Sequence, residues 1–253
     1  EITHNSNLNI ELVNIKTLEE TAKFKFSPAD SNTVNVTVDG VVEKVTNTET
    51  SQTVTKLSLD LSNVETANIT ATGKPSDITL GIASSDPDHL NIKGDADITL
   101  TFTTRPDRVF IDATQNTKTV TLRLLDTHYA PVSDDRLKGV DKIEIFGAAS
   151  HTLNLGNQSE GFEVKGSIGN DTIYASKGTS TIDAGPGNDY IFFTAGKVTA
   201  TGDKGNDHFV FYDITKVDAK ITDFTSGEDY IRIDLSKDLV GTKRMDKTAP
   251  SKV

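Results

Sequence analysis

The sequence predicts an all-β protein. Apolar and polar residues alternate with a period of two in many short segments, such as LNIELVNI, TVNVTVDG, ITLTF and KIEIF. Almost no segment places apolar residues at helical spacing, and a glycine recurs every nine residues between 166 and 210. From about residue 56 the short strands return roughly every 8 to 12 residues, a spacing that fits either a β-sandwich or a solenoid.

Composition excludes several classes of function. The 253-residue chain carries a net charge of -11, which argues against nucleic acid and anionic membranes as partners. It has no cysteine, and no apolar run is long enough to cross a bilayer. No HExxH or GxSxG motif occurs, so we expect no enzymatic activity. The first residues, EITHNSNLNI, have neither an initiator methionine nor a signal peptide, so we expect a piece of a longer protein.

Residues 1–55 are predicted to be antiparallel. The stretch VTVDGVVEKVT places Asp39 and Gly40 between two alternating runs, which is the pattern of a type I′ hairpin. Further along, THYAPVSDDRLKGV at 127–140 breaks the strand rhythm with a proline and a cluster of charges. We interpret it as an inserted loop.

The period of nine is clearest when residues 166–210 are written as GSIGNDTIY, ASKGTSTID, AGPGNDYIF, FTAGKVTAT and GDKGNDHFV. The fourth place is always glycine, and the eighth is always apolar, so one apolar side chain should point inward in every repeat. Aspartate occupies the sixth place in alternate repeats, as Asp171, Asp189 and Asp207, which are 18 residues apart. Five glycines in phase do not arise from turn composition alone.

Three of these repeats resemble GGxGxDxUx, the calcium-binding nonapeptide of RTX proteins. The resemblance implies a parallel β-roll in which two nonapeptides form one 18-residue turn and each loop stacks on the loop two repeats away. The three aspartates would then form a column along one edge of the roll.

A column of carboxylates requires a cation. Stacked strands lie about 4.8 Å apart, where two carboxylates repel by about 3 kcal/mol at an effective dielectric of 20. Calcium takes six to eight oxygen ligands in flexible geometry, which carboxylates and loop carbonyls can supply. We therefore predict one ion between loops 166–171 and 184–189 and another between loops 184–189 and 202–207. The predicted metal residues are Asp171, Asp189, Asp207, Gly166, Ile168, Gly169, Gly185, Pro186, Gly187, Asp203 and Gly205. The alternative is a glycine-turned roll that needs no metal.

The repeats depart from the RTX pattern in two ways. Ser180 and Val198 stand where aspartate belongs on the opposite edge, so that edge is predicted to be metal-free. Ser167, Ala184 and Asp203 replace glycines in the first two places, which leaves the number of ions open.

The segment ITDFTSGEDYIRIDLS resembles the sequence that closes the roll in many RTX proteins. We expect Phe224, Tyr230 and Ile233 to cap the open end, and the alternative is a further ion at Asp229. A cap would protect the last strand edge from aggregation.

Upstream, LSLDLSNVETANITATG, HLNIKGDADITLTF and VFIDATQNTKTVTLRL resemble the strand units of bacterial surface-layer (S-layer) proteins with RTX repeats. This resemblance implies type I secretion, an extracellular location and assembly with copies of itself into a calcium-dependent two-dimensional lattice. The expected organisation is an antiparallel β segment (1–55), an irregular β-solenoid (56–165), a calcium β-roll (166–210) and a cap with a tail (211–253). The alternative function is the calcium-triggered folding and secretion module of an exported hydrolase or adhesin.

Overall fold

The structure is a computed structural model that describes residues 2–3, 8–13, 22–27, 33–41, 44–46, 53–55, 57–61, 64–82, 87–104, 106, 109–125, 128–129 and 136–234. These residues form strands, turns and bends, and no helix. The strands, in chain order, are β1 (Ile2–Thr3), β2 (Leu8–Val13), β3 (Ala22–Ser27), β4 (Thr33–Asp39), β5 (Lys44–Thr46), β6 (Thr53–Thr55), β7 (Leu57–Asp60), β8 (Thr66–Ala71), β9 (Ser76–Gly81), β10 (His89–Gly94), β11 (Ile98–Phe102), β12 (Phe110–Asn116), β13 (Val120–Leu124), β14 (His128–Tyr129), β15 (Leu137–Lys138), β16 (Lys142–Ile145), β17 (Thr152–Asn154), β18 (Glu163–Lys165), β19 (Thr172–Tyr174), β20 (Thr179–Asp183), β21 (Tyr190–Phe193), β22 (Gly196–Thr201), β23 (His208–Phe211), β24 (Val217–Ile221) and β25 (Tyr230–Ile233).

The strands wind into a parallel β-solenoid. One sheet of 11 strands runs in the order β1-β3-β7-β9-β11-β13-β16-β18-β20-β22-β24. Two six-stranded sheets, β15-β12-β10-β8-β4-β2 and β14-β17-β19-β21-β23-β25, follow one another on the other side. Strands that neighbour one another in these three sheets pair in parallel. The expected solenoid and roll are therefore confirmed.

The antiparallel start is not confirmed. β4 pairs in parallel with β2 on one side and β8 on the other, so no side of β4 is left for a hairpin partner. Gly40 does have a φ of 64°, and Asp39 Oδ1 accepts a hydrogen bond from Lys74 N at 3.0 Å. The Asp39–Gly40 step thus turns the chain at a corner of the solenoid. Among the described strands only β5 and β6 pair antiparallel.

Residues 127–140 contain the change from one short sheet to the other. His128–Tyr129 begins the sheet that continues through the nonapeptides, and Leu137–Lys138 ends the sheet that serves the upstream turns. The segment predicted to be an inserted loop therefore contributes two strands. Residues 127 and 130–135 lie outside the described part of the chain.

The core consists of inward side chains stacked turn upon turn. In the long sheet Leu59, Leu80, Phe102, Leu124 and Ile145 are register partners in sequence and are all buried. Each turn thus stacks an apolar side chain on the one below it, which suits a chain whose apolar residues alternate. The apolar eighth place of the nonapeptides follows the same rule, since Ile173, Ile191 and Phe209 are fully buried and in register.

An asparagine ladder runs up the upstream turns. Asn35 Nδ2 donates to Asn9 Oδ1 at 2.9 Å, Asn68 Nδ2 to Asn35 Oδ1 at 2.8 Å, and Asn91 Nδ2 to Asn68 Oδ1 at 2.9 Å. Identical side chains at identical places in a parallel stack can each donate to one neighbour and accept from the other. The ladder fixes the register of four successive turns.

Candidate metal centre

The three predicted aspartates form one column. β19, β21 and β23 are in register, with Thr172 opposite Tyr190 and Tyr190 opposite His208, so the residue before each strand stacks on its equivalents. Asp171, Asp189 and Asp207 are all fully buried. The structure thus brings the three carboxylates to one edge of the roll, as the 18-residue spacing predicts.

Each carboxylate in the column accepts a hydrogen bond from the turn before it. Asp171 N donates to Asp189 Oδ1 at 2.6 Å, and Asp189 N donates to Asp207 Oδ1 at 2.9 Å. The pattern extends at both ends, where His151 N donates to Asp171 Oδ1 and Asp207 N donates to Asp229 Oδ1, each at 3.0 Å. Asp229 therefore belongs to the column, even though it follows Asp207 by 22 residues.

The electrostatics of the column oppose the ionised state. Burial raises the pKa of Asp189 to about 8, and the neighbouring charges of Asp171, Asp207 and Asp183 add to the effect. Burial also raises the pKa of Asp207, with contributions from Asp229, Asp223 and Asp203. In each case one backbone amide acts in the opposite direction without overcoming burial. A cation beside these groups would favour their ionised form.

Two oxygens of the column fit a hard cation. Asp189 Oδ2 and Asp207 Oδ2 are buried and have no hydrogen-bond partner among the described residues. An unsatisfied buried carboxylate oxygen is costly, and an oxygen-seeking ion relieves that cost. No three histidine or carboxylate side chains converge in the described part of the chain. The backbone carbonyls of the loops are oxygen ligands that could complete the shell of such an ion.

The loop glycines are required by the close stacking of the loops. A Cβ on Gly187 would lie 2.3 Å from Gly169 O, and one on Gly205 would lie 1.5 Å from Gly187 O. The carbonyl oxygens at the fourth place therefore lie against the next loop, where only glycine fits. The other predicted ligand residues line one groove of about 720 Å³, which the column aspartates do not line: Gly166, Ile168, Gly185, Pro186 and Asp203.

His151, Ser167 and Asp171 form a cluster at the upstream end of the column. Ser167 Oγ lies 3.3 Å from His151 Nδ1, and the same nitrogen lies 3.3 Å from Asp171 Oδ1. A catalytic triad needs the serine and the aspartate on different ring nitrogens, and it needs an accessible serine. Here both contact Nδ1, Ser167 Oγ bonds directly to Asp171 at 2.9 Å, and all three side chains are buried. The cluster supplies hydrogen bonds to Asp171, and Ser167 lacks the geometry that a catalytic nucleophile needs.

The opposite edge of the roll is built differently. Ser180 Oγ accepts from Phe162 N at 3.1 Å and lies 2.8 Å from Ser176 Oγ, while Val198 is buried. Hydroxyl and apolar groups fill the places that carboxylates occupy on the acidic edge. That this edge is metal-free stays a prediction.

Sequence reasoning missed two rows of stacked rings on the outer face of the roll. Tyr190, His208 and Tyr230 stack with ring centroids 4.4 and 4.9 Å apart. Tyr174 and Phe192 begin a second row, with centroids 4.4 Å apart. The signal was present, because each ring stands at a fixed place after an acidic loop. Since the ring faces pack on one another, these rows stabilise the stacking of turns.

The comparisons with known proteins bear on these loops. A family model described as "RTX calcium-binding nonapeptide repeat (4 copies)" matches residues 165–199. The chain carries RTX calcium-binding repeats. Such repeats bind calcium, which confirms the predicted cofactor. The third acidic loop, 202–207, lies beyond the matched residues. No curated protein and no solved structure shows significant similarity to this chain.

The RTX repeats also bear on where the protein acts. Proteins with these repeats are typically exported by type I secretion and are extracellular. The described residues contain no helix long and apolar enough to cross a membrane.

Proposed function

We propose that this chain is a structural segment of a bacterial S-layer, which folds with calcium after type I secretion and assembles with copies of itself into a lattice on the cell surface. The observation that carries the proposal is the buried acidic column, whose two unpartnered carboxylate oxygens make folding depend on a cation. No catalytic step is part of this function.

Calcium-dependent folding suits an exported protein. The roll buries Asp189 and Asp207 at a cost to their ionised forms that a bound cation removes, so binding free energy becomes folding free energy. Extracellular calcium sites work at about 10⁻⁴ to 10⁻³ M, well above the free calcium of a cytosol. The chain would therefore remain unfolded in the secretion apparatus and fold outside the cell.

The downstream end of the solenoid supports self-assembly. Among the described strands nothing pairs with the outer side of β24 or β25. On β25 Tyr230, Ile231 and Ile233 are each more than half exposed, and Phe224 is 42% exposed. Phe224, Tyr230 and Ile233 belong to the last described turn, where the Phe224 ring lies 6.3 Å from that of Phe209. That they cap the roll stays a prediction, because residues 235–253 lie outside the described part of the chain. An exposed strand edge with apolar side chains favours the addition of another chain.

Static light scattering and electron microscopy of the purified chain, with calcium and with a chelator, test the proposal. A lattice-forming protein grows into ordered two-dimensional sheets when calcium is added and stays dispersed in the chelator. A folded monomer in saturating calcium contradicts the lattice function and favours a folding and secretion module of an exported hydrolase or adhesin.

A further inference from the structure

The four stacked acidic loops fall into two classes, distinguished by the amide of the residue four positions before the aspartate. In one class this amide closes the loop: Ser167 N donates to Asp171 Oδ2, and Thr225 N donates to Asp229 Oδ2, both at 2.7 Å. Ser167 Oγ also lies within 3.1 Å of both oxygens of Asp171. In these closed loops the oxygen Oδ2 already has a donor from the chain.

In the other class the same amide is turned away. Gly185 has a φ of 83° and Asp203 a φ of 70°, both in the left-handed region. The amide of Gly185 donates to Asp183 Oδ1 at 3.2 Å, and that of Asp203 donates to Asp223 Oδ2 at 2.7 Å. Neither amide reaches the aspartate of its own loop, so we refer to loops 184–189 and 202–207 as open loops.

The open loops are the ones that leave a carboxylate oxygen without a partner. Asp189 Oδ2 and Asp207 Oδ2 are buried and unpartnered in the part of the chain that the structure describes, whereas Asp171 Oδ2 and Asp229 Oδ2 are bonded. Asp203 is also the only described residue other than glycine with a positive φ. Backbone strain of this kind persists where the surrounding structure requires it, and it is concentrated at functional sites.

We propose that the residue four positions before each aspartate determines whether a loop binds calcium. The open loops hold the metal, and the closed loops 166–171 and 223–229 flank them at the two ends of the column without binding it. The inference rests on calcium binding by the repeats and not on lattice formation. The sequence analysis predicts that loop 166–171 helps to bind an ion, whereas the inference makes it a closed loop that binds none. The reason is that Ser167 stands in a place that the repeat pattern gives to glycine.

The physical reason is competition for one oxygen. A calcium ligand must direct a lone pair at the ion from 2.3–2.6 Å. An N–H that already points at that oxygen places positive charge in the same space, and the hydroxyl of Ser167 fills it further. Glycine enters the left-handed region at little cost, whereas serine and threonine do not, so a glycine at this place allows the loop to open.

Equilibrium dialysis with radioactive calcium, on the full chain, measures the number of ions bound per chain. Ser167→Gly is expected to bind one calcium more than the wild type. Ser167→Ala is expected to bind the wild-type number, because alanine retains the closing amide. Ser176→Gly is the matched control: it is the same substitution at the same place of the repeat on the edge with Ser180, and it should add no ion.

Thr225→Gly gives an independent test at the other closed loop, and it too should add one ion. Circular dichroism in calcium verifies that each variant is folded, and if Ser167→Gly does not fold, Thr225→Gly decides the question alone. A folded glycine variant with the wild-type number of ions overturns the proposal, as does an extra ion in Ser176→Gly. Because the count is made on dispersed chains, failure to form a lattice leaves it unaffected.

Discussion

Replacing Asp189 by asparagine should change the stability of the protein in opposite directions with and without calcium. The folded chain raises the pKa of Asp189 from 3.8 to about 8, with burial as the main cause. At pH 7 this corresponds to a cost of about 4 kcal/mol, taken as about three pKa units at 1.36 kcal/mol each.

In the absence of calcium, Asp189→Asn removes that cost. The new amide nitrogen replaces an oxygen that has no partner, so it is itself buried without a hydrogen bond, which offsets about 2 kcal/mol of the gain in stability. The variant should therefore be more stable than the wild type by about 2 kcal/mol in a chelator. In saturating calcium it should be less stable, because it lacks a charged ligand. Urea unfolding followed by circular dichroism, in each condition, provides the two free energies.

The pH dependence in the chelator has a definite sign. Because the folded pKa of Asp189 lies above the unfolded value, the folded state binds more protons, and stability falls as the pH rises from about 4 to about 8. The slope should be shallower in Asp189→Asn. Asp218→Asn, the same substitution at an exposed place on β24, should change stability by less than about 0.5 kcal/mol in either condition. The reasoning is refuted if Asp189→Asn is less stable than the wild type in the chelator, or if calcium stabilises both equally.

Three further predictions concern the loops, the ladder and the core. Gly205→Ala should abolish the calcium-induced rise in melting temperature, because its Cβ would lie 1.5 Å from Gly187 O, whereas Gly81→Ala, with no atom nearer than 3.7 Å, should retain it. Asn68→Ala removes two hydrogen bonds of the ladder and should cost about 2 kcal/mol in urea unfolding; a change below about 0.5 kcal/mol would show that the ladder contributes nothing. Phe193→Ala leaves a cavity at a fully buried site and should lower the free energy of unfolding by about 3 to 5 kcal/mol with or without calcium. A loss seen in only one condition would contradict the place of Phe193 in a common core.

The sequence predicted those features that follow from a strict period. Alternation defined the strands, and the 18-residue spacing of Asp171, Asp189 and Asp207 defined the acidic column. Both are properties of single residues at fixed intervals, so no knowledge of distant partners is needed. The RTX match over 165–199 then identified the ion.

The features that the sequence did not predict depend on partners far apart in the chain. Asp39–Gly40 has the composition of a hairpin turn, but the parallel neighbours of β4 on both sides determine its pairing. The sequence offered Asp229 only as an alternative ion site and did not single out His151, because they join the column from turns of 22 and 20 residues, which a search at a spacing of 18 does not find. Whether a loop is open or closed depends on the φ angle of the residue four positions before the aspartate, and the presence of the aspartate alone does not reveal it.

Anomalous diffraction from crystals grown in calcium tests the central claim most directly. The column predicts anomalous peaks within 2.3–2.6 Å of Asp189 Oδ2 and Asp207 Oδ2, on the buried side of the acidic edge. Crystals that show no peak beside either oxygen, or that show these carboxylates directed away from a common edge, would contradict it.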